Sequence, residues 1–411
     1  MKKVAIIGGG AAGLMAAAIA GSRGAVNVTL WEQNPFCARK LGITGKGRCN
    51  LTNTASVQEL SAFIPRGEKF LRTAMYAFPP QQVMEFFEEA GVPLKVERGG
   101  RVFPVSDKAR DIVNALCGAA LRSPLVTLKK QKILSVKPGE KGFCLTHQDG
   151  EDTFDRVLIA TGGASYTATG SKGDGYRFAA ELGHTVTPPR PSLIPLVVKE
   201  GFCSDCMGLS LKNTALRVET LGGRKVYEDF GEMLFTHFGV SGPTILSASA
   251  YLDFEKEARY RLVLDLKPAL TREELDKRVL SDFEENQNRD LVNALDRLLP
   301  QKMIRPILAY AGLDERKKVN LIKREERLKF VDCLKALSLT VIGTRSMEEA
   351  IVTRGGVVLK EVNPKTMESR LVPGLYFAGE VLYADALTGG FNLQIAFSTG
   401  YLAGMSLGEE V

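Results

Sequence analysis

Four residues near the amino terminus carry the clearest chemistry in the chain. Gly8, Gly10 and Gly13 fit G-x-G-x-x-G, and Glu32 follows nineteen residues after the last of them. The first glycine permits a tight turn and the second lets a pyrophosphate approach the backbone. The third lets a helix pack closely on a strand. An acid at that distance can accept hydrogen bonds from a ribose. The surroundings fit: Val4 to Ile7 read as a short buried strand, Leu14 to Ala20 as an apolar helix, and Val28 to Trp31 as a second strand ending in Glu32. A diphosphate would then rest on free N–H groups at a helix start. Lys2 and Lys3 before an apolar run invite a secretory-leader reading. Three consecutive glycines and the acid-tipped second strand argue against it.

Other residues with chemical potential follow. Residues 40–53 form a long loop with Gly42, Gly45 and Gly47, and Arg48 and Asn50 add donors. Its composition suits contact with an anion or a flat ring system. Thr161-Gly162-Gly163 ends an apolar strand, as Gly379-Glu380 does, and Gly389-Gly390-Phe391-Asn392 opens a helix. Three side chains are candidates for catalysis: His237 in a Gly/Ser-rich stretch, Tyr383 between two glycine motifs, and Arg48. For each a structural role stands beside the catalytic one: a hydrogen-bonded histidine, a packed loop with Tyr383 and Asp385, and a loop anchored by Arg48. Cys203-x-x-Cys206 has no second pair or histidine to complete a zinc pattern, so two ordinary thiols and no metal are expected. Cys49 is read as packing.

The elements that must position these residues suggest more than one domain. A chain of 411 residues with ordinary apolar content can bury a sizeable core. No run of about eighteen uninterrupted apolar residues is present, so no membrane span is expected. Seven scattered cysteines fit reduced thiols and a cytoplasmic location. The net charge of +7 comes from 54 basic against 47 acidic residues, too balanced for a nucleic-acid tail. Acids also interrupt the basic stretch 302–329, which favours a solvated helix face over a nucleic-acid patch. Helices are expected over 56–63, 67–77, 81–90 and 107–120, a hairpin over 94–105, and strands over 125–136, 142–147 and 153–160. Residues 193–266 hold strand-like runs, with 225–228 and 232–235 read separately, and 271–337 read as charged helices. The glycine-punctuated pattern returns from 353 onward. The fold class expected is therefore α/β: a Rossmann-like cofactor domain built from both chain ends, 1–190 and 341–411. An inserted β-rich, barrel-like substrate domain (191–270) and a helical subdomain (271–340) interrupt it.

With these motifs in view, the chain resembles the BaiN/YhiN-like FAD-dependent oxidoreductases of the glutathione-reductase-like superfamily, with some likeness to succinate dehydrogenase flavoprotein subunits. The likeness rests on Gly8 to Gly13, Thr44-Gly45-Lys46-Gly47-Arg48-Cys49-Asn50, residues 160–163, residues 170–175, residues 237–243 and residues 389–394. Members commonly carry serine where Thr44 stands, and threonine keeps the hydroxyl. The resemblance implies FAD. It implies that Gly8, Gly10, Ala12 and Gly13 hold the diphosphate, and Glu32 with Gln33 the adenosine ribose. Thr44, Gly45, Arg48, Cys49 and Asn50 would run beside the isoalloxazine, and Lys40 is a further cofactor-binding candidate. Thr161, Gly162 and Gly163 would line the adenosine side, and the backbone near Ile133 would meet the adenine. Gly379 and Glu380 would hold the ribityl and diphosphate region. Gly389, Gly390, Phe391 and Asn392 would face the flavin's pyrimidine edge, where a positive helix end favours the reduced ring.

The activity expected is hydride transfer through the flavin: NAD(P)H-linked reduction of an activated C=C bond in a small, steroid-like substrate. NADH or NADPH would be a transient electron donor, since no second dinucleotide unit is present. Two other readings stand beside it: an amine or aminoketone oxidase passing electrons to oxygen, and an RNA-associated flavoprotein. A small-molecule substrate is expected as partner, and nucleic acid is not.

Overall fold

In the computed structural model residues 1–409 are described; the last two residues of the carboxyl-terminal segment expected to end at 411 lie outside the described residues. The chain forms two compact units, one of Met1–Ser192 with Met347–Val411 and one of Leu193–Ser346.

The first unit is built on a parallel sheet of five strands. Their order is Leu375–Phe377, Arg156–Ile159, Lys2–Ile7, Val26–Trp31, Val126–Lys129. Val4 to Ile7 pair with Arg156 to Ile159, and Lys2 to Ile7 with Val26 to Trp31. The inner strands are apolar on both faces because helices cover both sides of a parallel sheet; Val4, Ile6, Leu30, Leu158 and Ile159 are all fully buried. Helix Ala11–Ser22 returns from the first strand, and helix Phe391–Leu407 packs against it. Small residues allow that approach: a Cβ on Gly400 would lie 2.4 Å from Ala12 O, and one on Gly404 2.7 Å from Ala16 O. A three-stranded antiparallel meander, Ile133–Pro138, Phe143–His147 and Gly150–Phe154, fills the crossover between two of the parallel strands. The expected 94–105 hairpin is strands Leu94–Glu97 and Arg101–Pro104, joined by Thr52–Asn53.

Part of the expected loop 40–53 is helical instead, over Arg39–Gly47 with a break at Thr44, Gly45 and Lys46. Its glycines concealed a short helix whose apolar Leu41 is buried.

The second unit is a closed barrel plus helices. Its strands run in the order Leu196–Val198, Gly239–Ser241, Lys225–Thr236, Ser210–Thr220, Tyr260–Asp265, Leu337–Thr344. The separate runs 225–228 and 232–235 are one continuous strand. The closing strand lies beyond residue 270, after the helices Arg272–Glu285, Gln301–Ala311 and Arg324–Lys335. These helices share one apolar core with the barrel, with Leu275, Ile307 and Val331 packed in the same cluster as Leu262 and Leu339. Thr271 and Glu274 cap the first of them reciprocally. The basic stretch 302–329 is laced with ion pairs, among them Lys317–Glu326 and Arg327–Asp276. No helix among the described residues is long and apolar enough to cross a membrane.

One histidine of the first unit supplies a pH prediction. His184 is buried, with Nδ1 3.1 Å from Glu361 Oε2 and Nε2 2.8 Å from Ser369 Oγ. Desolvation outweighs the pull of Glu361 and holds its pKa below the ordinary 6.5. The native ring therefore stays neutral where the unfolded chain takes up a proton. Stability is complete above the unfolded value and falls as pH drops through it toward the folded one. Melting temperature should fall between about pH 7 and pH 5.5, and His184→Asn should flatten that fall. An equal fall in both proteins would contradict this.

Candidate functional site

Four segments leave the carboxyl ends of adjacent parallel strands: Ala378 to Glu380, Ala160 to Gly163, Gly8 to Gly10, and Glu32. In an open α/β sheet this edge is where ligands bind. Gly8 has φ +110°, and a Cβ there would lie 2.4 Å from Ala160 O. Helix Ala11–Ser22 starts at Gly10 with no side-chain cap and no acid in its first turn. Its first N–H groups thus offer themselves to an anion. A Cβ on Gly10 would meet no atom within 4 Å, whereas one on Gly13 would lie 1.9 Å from Gly8 O. The two glycines therefore do different work: Gly13 closes helix on strand, and Gly10 faces open space.

Glu32 is buried, with Oε2 accepting from Gly9 N at 2.9 Å and Oε1 from Asn34 N at 2.8 Å and Asn34 Nδ2 at 2.7 Å. A carboxylate has about four acceptor positions, so one remains for a hydroxyl. Gln33 Nε2 donates to Gly170 O at 2.6 Å, tying the 170–175 turn to the same edge. Ile133 opens the meander and pairs with His147.

Two buried polar atoms here have no partner within the protein, Thr161 Oγ1 and Asn50 Oδ1. Unpaired buried oxygens cost stability unless a ligand meets them. Together with the open face at Gly10 and the uncapped helix, they fit a polar dinucleotide such as FAD.

The segment 44–50 is bent by an unusual backbone. Gly45, Lys46, Gly47 and Cys49 all have positive φ, from +57° to +83°. Lys46 and Cys49 have side chains, so this conformation costs energy and marks a site held by its surroundings. Thr44 Oγ1 donates to Leu41 O at 2.7 Å. Cys49 is fully buried, and burial pushes its thiol up to about 12, which leaves it a neutral packing group. Arg48 is partly exposed and tied to the 97–107 region. Its Nε donates to Asp107 Oδ1 at 2.8 Å, its guanidinium also pairs with Glu97, and it lies 4.2 Å from the Phe103 ring centroid. The anchoring role is the one this geometry carries.

Lys40 reaches across to the last sheet strand. Its Nζ is 2.6 Å from Glu380 Oε2 and 2.8 Å from Ser165 Oγ, while Glu380 Oε1 accepts from Thr353 N at 2.8 Å. Gly379 N donates to Thr399 Oγ1 at 3.0 Å. Ser165, Thr353 and Thr399 had no signal in the sequence, because their partners are distant along the chain. At Gly389 and Gly390, φ is +132° and +96°, and a Cβ on Gly390 would lie 2.3 Å from Thr52 O. Helix Phe391–Leu407 begins there, again without a side-chain cap. Gly163 lies against Thr353 Oγ1 and Glu380 Oε1. Asn392 braces the preceding turn, donating to Ala386 O at 2.7 Å and accepting from Ala386 N at 2.9 Å. Phe391 is buried and stacks on Phe63 at 4.5 Å.

Sequence reasoning missed a buried pair behind this turn. Arg66 forms a forked ion pair with Asp385, which is 1% exposed and also accepts from Ser192 Oγ at 2.9 Å. Tyr383 is half-buried, and its N–H donates to Val357 O at 3.0 Å. The first unit thus holds every candidate residue except His237. His237 is exposed on the turn before strand Gly239–Ser241 of the second unit, with its ring 4.9 Å from that of Phe238. Cys203 and Cys206 are buried, and burial raises both thiols to about 12. Among the described residues no cluster of metal-binding side chains occurs.

The model of the HI0933-like protein Rossmann domain matches residues 2–406. A 3-dehydro-bile acid delta(4,6)-reductase of Clostridium scindens is 33% identical over 415 residues, covering 100% of each chain. A ribosomal RNA dihydrouridine synthase of Escherichia coli is 28% identical over 402 residues, covering 98% of this chain and 97% of its own. Among solved structures, 3-ketosteroid delta1-dehydrogenase of Sterolibacterium denitrificans is 13% identical with a TM-score of 0.49, covering 99% of this chain and 100% of that one.

Proposed function

The chain belongs to the HI0933-like Rossmann-domain family and is an FAD-dependent oxidoreductase, and from that premise we propose that it saturates a C=C bond conjugated to a carbonyl. The observation that carries this reading is a chemistry shared by the names of two full-length relatives. The Δ4 bond of a 3-dehydro bile acid and the double bond of a uracil ring are both activated by a carbonyl. The higher identity favours a small steroid-like enone as substrate. The second relative favours a uracil in RNA as the alternative.

FAD, when bound, supplies hydride transfer at its ring. The chain's residues supply the rest. Gly8, Gly10, Ala12 and Gly13 hold the diphosphate, Glu32 and Gln33 the ribose, Thr161, Gly162 and Gly163 the adenosine side, and the backbone at Ile133 the adenine. Lys40, Gly379 and Glu380 form the wall of the ribityl region. Thr44, Gly45 and Asn50 border the ring with Cys49 packed behind. Gly389, Gly390, Phe391 and Asn392 set a positive helix end toward its pyrimidine edge. The cofactor segments are assigned to the first unit, and substrate recognition to the inserted second unit, Leu193–Ser346. Saturating a C=C bond also needs a proton at the second carbon. Tyr383 and His237 have chemistry suited to deliver it. Arg48 cannot, since guanidinium keeps its protons.

NADH or NADPH is the proposed electron donor. Anaerobic stopped-flow mixing of the holoenzyme with NADH, NADPH and primary amines tests this. One nicotinamide should bleach the flavin far faster than any amine. Rapid bleaching by amines, with slow bleaching by both nicotinamides, would support an oxidase instead.

A further inference from the structure

The segment that follows Thr44 and the start of helix Phe391–Leu407 come from opposite ends of the chain, and buried polar side chains join them. Asn53 is buried and uses its whole amide. Its Nδ2 donates to Gly99 O at 2.9 Å and to Gly389 O at 3.1 Å, and its Oδ1 accepts from Ala55 N at 3.0 Å. Thr52 Oγ1 donates to Gln394 Oε1. Gln394 Nε2 donates in turn to Phe78 O and to Ser398 Oγ, each at 2.9 Å, and Ser398 Oγ donates to Phe78 O at 2.7 Å. Thr52, Gln394 and Ser398 are wholly buried. Apolar residues would fill this space without the cost of desolvating polar groups. A fully paired network instead fixes one arrangement, and what it fixes here is the helix's first turn. Gln394 N closes that turn on Gly390 O at 3.1 Å, while its side chain holds strand Thr52–Asn53. That strand is pinned in turn by its pairing with Arg101–Pro104. No side chain caps the turn and no acid lies in it, so its first N–H groups are open. Asn50, three residues before Asn53, carries the buried Oδ1 that lacks a partner within the protein.

We propose that Thr52, Asn53 and Gln394 are positioning residues that hold the helix end at Gly389–Asn392 toward the flavin's pyrimidine edge and so set the flavin's reduction potential. They act through the backbone of Gly389 and Gly390, against which Asn53 Nδ2 and Thr52 O are placed. The reduced ring carries negative charge near that edge, and a positive helix end stabilises it only while held in place. Releasing the turn therefore favours the oxidised ring. This rests on the placement of Gly389–Asn392 proposed above, and not on the choice of substrate.

The flavin potential of the FAD-loaded protein is measured against reference dyes in wild type, Thr52→Val, Asn53→Ala and Thr52→Ser. In Thr52→Val and Asn53→Ala the equilibrium between reduced and oxidised flavin should shift about tenfold toward the oxidised form, a drop of about 30 mV for a two-electron couple. Thr52→Ser keeps the hydroxyl and should match wild type. The placement of the helix end is tested apart from the tie by exchanging FAD for 8-mercapto-FAD, whose thiolate charge moves onto the pyrimidine beside a positive group and gives a red-shifted quinoid spectrum. Wild type should show that spectrum, and Asn53→Ala should lose it. A thiolate spectrum in wild type would overturn the placement and the proposal with it. A quinoid wild type with unchanged potential in Thr52→Val and Asn53→Ala would overturn the tie alone. So would an equal drop in Thr52→Ser, or loss of FAD by both of the other variants.

Discussion

Gly10→Ala should purify as a folded protein that has lost its FAD, while Gly13→Ala should not fold. The contrast follows from two glycines three residues apart in one motif. A methyl at Gly10 meets nothing within 4 Å, and its φ of −87° suits any residue. The apo fold should therefore keep its melting temperature. The same methyl occupies the space through which a diphosphate must approach the backbone. We expect FAD affinity to weaken about a hundredfold, or about 2.7 kcal/mol. A methyl at Gly13 would stand 1.9 Å from Gly8 O. That overlap is between backbones and cannot be relieved by a rotamer, so it should exceed the about 1–3 kcal/mol usual for overpacking. Fluorescence titration with FAD and thermal melts of the apo proteins measure both. A Gly10→Ala protein that binds FAD as tightly as wild type would contradict this account of the turn.

Arg66→Met should be the most destabilising single change outside that motif. It would leave the Asp385 carboxylate, 1% exposed, with the Ser192 hydroxyl as its side-chain partner at 2.9 Å. Breaking a buried pair by removing one member costs about 3–5 kcal/mol, because a charge remains uncompensated. Asp385 sits on the turn that Asn392 braces, so the loss should also loosen the helix start at Gly390. Arg66→Met/Asp385→Leu should recover much of the stability, since it removes both charges. Urea unfolding of the three proteins decides this. A double variant no more stable than Arg66→Met would show that the pair acts through something other than charge.

Much of the first unit was legible because its signals are local. An apolar strand, a glycine turn and an apolar helix identify Lys2–Ile7 and Ala11–Ser22 within one short window. The return of that pattern near Leu375–Phe377 revealed a sheet shared by both chain ends. The barrel-like insert was legible, but the strand that closes it was not. Its closing strand Leu337–Thr344 follows three helices, and pairings such as Leu196 with Thr344 leave no local trace. Strand Lys225–Thr236 looked like two runs because its middle residues are polar or solvent-facing. The glycine residues of the site were visible; the side chains that brace them were not. Arg66 and Asp385 are 319 residues apart, and Lys40 and Glu380 are 340 apart. Nothing in either neighbourhood announces the other. Arg48 shows the converse limit: a cation in a glycine-rich loop suits substrate, anchor or cofactor equally, and only Glu97, Asp107 and Phe103 distinguish them.

The central claim is reduction of a conjugated C=C bond, and one measurement addresses it directly. The holoenzyme is reduced without oxygen, freed of excess donor, and mixed with a 3-oxo-4-ene steroid or with uridine-containing ribosomal RNA. We predict that one of them restores the flavin's visible absorbance stoichiometrically and is recovered carrying two more hydrogens. Flavin that stays bleached with both and recovers its colour with oxygen alone would contradict the claim.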